Sequence, residues 1–239
     1  MNKVVRTPED RFAAIKDFNF SPNYLEVEPQ LRMHYVDEGN KDNPVVLLLH
    51  GEPSWSYLYR KMIPILSKAG FRVIAPDLIG FGKSDKPTAQ SDYTYQKHLD
   101  WSKTFLTHLE LKDITLFCQD WGGLIGLRLV AEMPDKFARV VASNTGLPIG
   151  KGSMPEAFIQ WREFSQKSPA FNVGKVIQGG TLTNLSDEII AAYNAPYPTE
   201  EYQAGARIFP SLVPIIEGEA EAINNMNCLL YTSPSPRDS

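Results

Sequence analysis

The stretch that most limits what this chain can fold into runs from Ile114 to Pro134. Ile114-Thr115-Leu116-Phe117 is apolar and β-prone, Cys118-Gln119-Asp120-Trp121-Gly122-Gly123 follows, and Leu124 to Met133 reads as a helix that stops at Pro134. A strand that passes through a tight, glycine-bearing turn straight into a helix has the shape of a nucleophile elbow, where small neighbours let a reactive side chain stand on a sharp bend. The usual serine is absent, and position 120 is a carboxylate. A serine attacks acyl carbons with help from a base. An aspartate is already ionised at neutral pH and attacks a saturated carbon directly, leaving an alkyl ester. The plainer reading of Asp120 is a side chain capping the next helix. Strand, glycines and helix together favour the nucleophile.

The rest of the chain supplies a setting for that elbow. Val45 to Leu49 is an unbroken aliphatic run, too short for a helix and typical of a parallel strand buried on both faces. It ends in the loop His50-Gly51-Glu52-Pro53. Leu31, Met33 and Tyr35 alternate with Arg32 and His34, which predicts a half-buried strand, with a turn over Asp37-Glu38-Gly39-Asn40. A helix is predicted over Tyr57 to Ala69 with Gly70 as its C-terminal cap. Then come a strand over Phe71 to Ala75, a glycine-bearing loop from Pro76 to Asp85, and a helix with Leu99, Phe105, Leu106 and Leu109 on one side. Arg139 to Ser143 is one more strand. Alternating strands and helices imply a mostly parallel sheet covered on both faces. Sites in such sheets lie at the carboxyl ends of strands, where His50-Gly51-Glu52 and Asp120-Trp121 both fall. After Leu147 the pattern changes. Residues 155–217 show helix-like segments, Glu156 to Phe164 and Asp187 to Tyr193, broken by Pro196, Pro198, Pro210 and Pro214, which predicts a helical insertion over the sheet.

With 239 residues, 43% of them hydrophobic, the chain can bury a sizeable core. Its net charge is −4 with basic residues scattered, which argues against nucleic acid or an anionic membrane as partner. No apolar run is long enough to span a bilayer. The N-terminus turns charged before an apolar segment develops, so no signal peptide is expected. Cys118 and Cys228 form no disulfide framework or metal pattern, and Cys118 reads as a buried, inert thiol. A reduced, cytoplasmic setting is expected.

The quoted motifs resemble an α/β-hydrolase and, more narrowly, the haloalkane dehalogenases. The resemblance rests on His50-Gly51-Glu52-Pro53, the loop Pro76-Asp77 to Gly80-Phe81-Gly82-Lys83-Ser84-Asp85, and Gln119-Asp120-Trp121-Gly122-Gly123. Phe158-Ile159-Gln160-Trp161 and the run from Tyr193 to Gly205 are similar to the branch that keeps its second halide-binding tryptophan in the cap. The similarity covers roughly residues 15–215. It implies a core over 1–147, a helical cap over 148–217 and a return towards the core over 218–227.

The resemblance also implies roles. Asp120 is the nucleophile, displacing halide from a haloalkane to give an aspartyl ester that water hydrolyses to alcohol, with no cofactor and no metal. The indole N–H groups of Trp121 and Trp161 hold the leaving halide, since an indole is a donor with no competing acceptor. Backbone N–H groups of Glu52 and Trp121 form the oxyanion hole. Phe158 and Leu124 line the substrate pocket, and Trp55 and Trp101 are packing residues. Partners are the haloalkane, halide and water, and the implied role is detoxification. An epoxide hydrolase, using cap tyrosines Tyr193, Tyr197 or Tyr202, and a non-catalytic ligand-binding member of the fold are the alternatives.

Hydrolysis of the ester needs a histidine base and an acid to orient it. The four histidines, His34, His50, His98 and His108, all precede Asp120, and His50 is assigned to the oxyanion loop rather than to the base. Asn144-Thr145-Gly146 carries no carboxylate where some relatives place the acid. The late strands and helices of the fold are also absent, and residues 228–239 read as a non-native tail. The expectation is a fragment that does not turn over.

Overall fold

The computed structural model describes residues 3–232. In chain order its strands are β1 (Val4–Val5), β2 (Asn23–Glu28), β3 (Leu31–Glu38), β4 (Val45–Leu49), β5 (Arg72–Pro76), β6 (Lys86–Pro87), β7 (Ile114–Gln119) and β8 (Phe137–Ser143). Its helices are α1 (Met62–Lys68), α2 (Tyr95–His108), α3 (Trp121–Glu132), α4 (Glu156–Lys167), α5 (Val173–Gly179), α6 (Asp187–Asn194), α7 (Ala204–Leu212) and α8 (Ala220–Thr232). The main sheet has the order β2-β3-β5-β4-β7-β8. β2-β3 and β3-β5 pair antiparallel, while β5-β4, β4-β7 and β7-β8 are parallel. β1 and β6 form a separate two-stranded ribbon.

β4 lies in the middle, and every one of its five residues is buried. A side chain such as Leu47 or Leu48, fully out of water here, contributes roughly 1.5–3 kcal/mol. That burial is why an unpunctuated aliphatic run sits between β5 and β7. β8 is the opposite case. It pairs with β7 on one side only among the described strands, and Val140 and Val141 are 40% and 48% exposed.

Several local expectations are corrected. His34 is not on a solvent face but 1% exposed, because its Nδ1 meets Asp77 Oδ2 at 2.8 Å. The turn begins at Gly39 rather than Asp37, since β3 continues through Glu38 and Asp37 pairs with Arg72. The helix expected over Tyr57 to Ala69 divides into a 3₁₀ turn, Ser56–Tyr59, and α1, whose end is followed by Gly70 at φ +90°. Pro210 does not break the cap segment but sits inside α7. Between residues 148 and 217 the described chain holds α4, α5, α6 and α7, of which sequence reading missed α5 and α7. Residues 228–232 continue α8, and the remainder of the expected tail lies outside the described residues.

The insertion is fastened to the sheet layer by buried contacts. Trp55 donates its indole N–H to Ala192 O, and Tyr57 packs edge-on against Tyr193 at 5.2 Å. Phe209 of α7 touches Phe81, His98 and Trp121, with ring centroids at 4.7, 4.5 and 4.6 Å. Trp55 and Trp101, at 0% and 3% exposure, are core residues as expected.

Candidate active site

The turn from β7 into α3 puts Asp120 at φ +52°, a conformation that costs a non-glycine residue and persists only where its surroundings enforce it. The enforcement comes from close approach on two sides. A Cβ on Gly51 would lie 2.3 Å from Asp120 Cβ, and one on Gly122 would lie 2.0 Å from Leu49 O. Only glycine at both positions lets the β4 loop close over the elbow. Behind it, Thr145 Oγ1 donates to Asp120 O at 2.7 Å, and Asp120 N–H donates to Asn144 O at 3.3 Å. Sequence reading saw in Asn144-Thr145 only a missing carboxylate, and nothing in those residues alone announces that they brace the elbow.

Asp120 stands at the N-cap of α3, yet its side chain makes no capping bond. Instead Oδ1 accepts the Glu52 backbone N–H at 2.7 Å, and the carboxylate also accepts the Trp121 backbone N–H. Burial raises the pKa of Asp120, and these two N–H groups oppose the rise. The result is a fixed carboxylate that shares two donors, the arrangement that also suits an oxyanion formed on the same group.

A cavity of about 180 Å³ opens over Asp120, and Glu52, Trp121, Leu124, Phe158 and Trp161 all line it. The predicted site residues, drawn from the β4 loop, the elbow and α4, therefore come together. Met154, Pro148, Pro210 and Val213 complete the lining. Sequence reading missed these four, since apolar residues carry no mark that separates cavity wall from core. Trp121 is 3% exposed and clamped between Tyr95 and Phe209. Trp161 stacks on Phe164 and Phe171, and its indole hydrogen-bonds towards the Glu52 carboxyl. Tyr193, Tyr197 and Tyr202 do not line this cavity, which disfavours the epoxide reading.

His50 is fully buried and committed at both nitrogens. Nδ1–H donates to Gly51 O at 2.9 Å, and Nε2 accepts the Leu78 N–H at 3.0 Å. Burial lowers its pKa, so it is a neutral strut of the loop and has no free nitrogen for a base. Among the described residues no cluster of His, Cys, Asp and Glu has the makings of a metal site, and no helix is long and apolar enough to cross a membrane.

Comparison with known proteins agrees with this architecture. A family model described as alpha/beta hydrolase fold matches residues 44–201. The chain is 59% identical over 227 residues to a haloalkane dehalogenase of Psychrobacter cryohalolentis, covering 93% of this chain and 75% of that protein. It is 52% identical over 215 residues to a haloalkane dehalogenase of Mycolicibacterium paratuberculosis, covering 88% and 71%. The tetrameric haloalkane dehalogenase DpaA from Paraglaciecola agarilytica superposes with a TM-score of 0.92 at 38% identity, over 98% of this chain and 80% of that one. At about three quarters of the length of these relatives, the chain belongs to the haloalkane dehalogenases, α/β-hydrolase-fold enzymes of hydrolytic dehalogenation.

Proposed function

We propose that Asp120 is the nucleophile of this chain. The observation that carries the reading is the Asp120 carboxylate itself, turned away from its own helix and held by the Glu52 and Trp121 N–H groups beneath an apolar cavity. One carboxylate oxygen attacks the halogen-bearing carbon in line, and the carbon–halogen bond breaks as the ester forms. Negative charge grows on the halogen in a space walled by Leu124, Phe158, Trp121 and Trp161. Indole donors there act in a site poor in water, where one oriented dipole stabilises more than it does in solution. Trp121 faces no acceptor among the described side chains, whereas Trp161 turns from Glu52 to the halide. The substrate is a halogenated alkane small enough for the cavity, and water is the second reactant. The domain division at 147/148 and 217/218, and a cytoplasmic, detoxifying role, belong to the same reading.

Alkylation of Asp120 needs no histidine, because the carboxylate is itself the nucleophile. Incubation with 1,2-dibromoethane therefore gives prompt bromide release, together with an adduct on Asp120 seen by intact mass and peptide mapping. Asp120→Asn abolishes both. Prompt bromide release within tenfold of the parent in that variant places the nucleophile elsewhere.

A further inference from the structure

Beside the cavity over Asp120 lies a second one of about 370 Å³, and Glu52 and Trp161 line both. Its walls are largely apolar, with Leu58, Ile177, Leu185 and Ile189 among them. Two side chains of the charged types line it among the described residues, Glu52 and Arg60. Burial first, and then the negative charge of Asp120, hold the Glu52 carboxyl well above the usual carboxylate range, which disfavours its anion. The cation is therefore the charge that sets the character of this cavity.

Arg60 follows the 3₁₀ turn Ser56–Tyr59 and is half-buried. Its guanidinium stacks 4.1 Å from the centre of the Tyr57 ring, donates from Nη1 to Tyr57 O at 3.2 Å and hydrogen-bonds the Tyr193 hydroxyl. These contacts fix the group in place, yet none of them neutralises it. Glu188 of α6 is taken by Lys16 at 3.0 Å, and Asp17, which shares an outer hollow with Arg60, forms no ion pair with it. Stacking occupies the flat face of a guanidinium and leaves its N–H edges, five donors in all, for other partners. A cation held half out of water without a counter-ion is costly, and an anion brought to it removes that cost.

We propose that Arg60 is a specificity-determining residue that holds an anionic far end of the substrate, so that this chain favours ω-halogenated carboxylates over uncharged substrates of the same length. This rests on Asp120 as nucleophile and deepens it by naming a substrate class. The halogenated carbon sits over Asp120, the methylene run passes Trp161 and the apolar wall, and the tail carboxylate meets the guanidinium in a charge-assisted pair. The covalent step is unchanged. An Asp120 oxygen forms the ester bond, the carbon–halogen bond breaks with its electron pair leaving on the halide, and the tail carboxylate takes no part. Apolar walls strengthen the pairing at Arg60 relative to water. Without Arg60 the same tail would only lose its hydration on entering, so the sign of its effect reports the residue.

The test measures the rate of adduct formation by intact mass for the series from 4-bromobutanoate to 8-bromooctanoate, each against its own methyl ester, with 1,2-dibromoethane as the uncharged reference. At the chain length that spans the two cavities, the acid should alkylate the parent about tenfold faster than its ester, the gain expected of one charge-assisted pair. Added salt should lower that ratio and leave the ester rate alone. In Arg60→Gln the ratio should fall to one or below, with the rate for 1,2-dibromoethane unchanged. A ratio that persists in the variant overturns the proposal. Should the variant not fold, the parent alone decides: acids no faster than their esters at every length also overturn it. Adducts from 1,2-dibromoethane without any preference for acids refute Arg60 alone, whereas no adduct from any reagent refutes the nucleophile and Arg60 with it, so the two failures are distinguishable.

Discussion

Replacing His98 with leucine should remove an acid weakness from the fold. His98 is 1% exposed on α2, and neither ring nitrogen has a hydrogen-bond partner. It is enclosed by rings, with Phe209, Trp101 and Tyr93 at 4.5, 5.0 and 6.0 Å. Burial foremost, with help from His50 and Lys97, lowers its pKa to about 3. In the unfolded chain it titrates near 6.5. The native ring thus stays neutral while the unfolded chain takes up a proton below about pH 6.5, so stability is lost as pH falls from there towards 3. From those two pKa values the loss is about 3 kcal/mol at pH 4 and about 4 kcal/mol at pH 3. At pH 7 the leucine costs little, since it replaces a polar ring that has no partner. Urea unfolding at pH 7 and pH 4, followed by far-UV circular dichroism, should show the variant gaining about 3 kcal/mol on the parent at the lower pH. Contributions from other groups, the buried His50 included, are common to both proteins and cancel. Parallel loss of stability in the two would refute the reasoning. The same ring contacts reach the site, because Phe209 bridges His98 to Trp121.

Gly51→Ala places a methyl 2.3 Å from Asp120 Cβ, which should displace the carboxylate from the Glu52 N–H and lower the rate of adduct formation at least tenfold, measured by intact mass. Bromide should quench tryptophan fluorescence saturably, and Trp161→Phe should weaken that binding about tenfold, since phenylalanine offers no N–H; unchanged quenching removes Trp161 from the halide site. Arg128, 3% exposed on α3, donates to Glu132, and to Glu221 and Asn225 of α8. Arg128→Ala should cost about 2–3 kcal/mol in urea unfolding, less than a fully buried pair because both carboxylates stay about a quarter exposed.

The parts of this protein legible in its sequence are those set by neighbours along the chain. The aliphatic run of β4, the strand-turn-helix of the elbow and the helical character of residues 148–217 follow from local periodicity and from where glycine and proline fall. Of the candidate site residues, Asp120 and the His50-Gly51-Glu52 loop are marked by their strand ends, whereas Trp161, Phe158 and Leu124 were placed by resemblance alone; Asp120, Glu52, Trp121, Leu124, Phe158 and Trp161 line a single cavity. Other features depend on contacts between segments far apart. His34 looked solvent-facing by alternation, but Asp77, 43 positions away, draws it into the interior. Asp77 is held down at about 2: burial works against this and is outweighed by His34, His50 and the Lys83 N–H. Asn144 and Thr145 carry no signal as letters, yet they brace the Asp120 turn from the next strand's end. The raised pKa of Glu52 was equally unreadable, because it comes from burial and from the charge of Asp120, 68 positions on. Periodicity decides which face of an element is apolar. Only the closing of the sheet under its cap decides which polar groups lose water together, and in that shared desolvation the chemistry of the site resides.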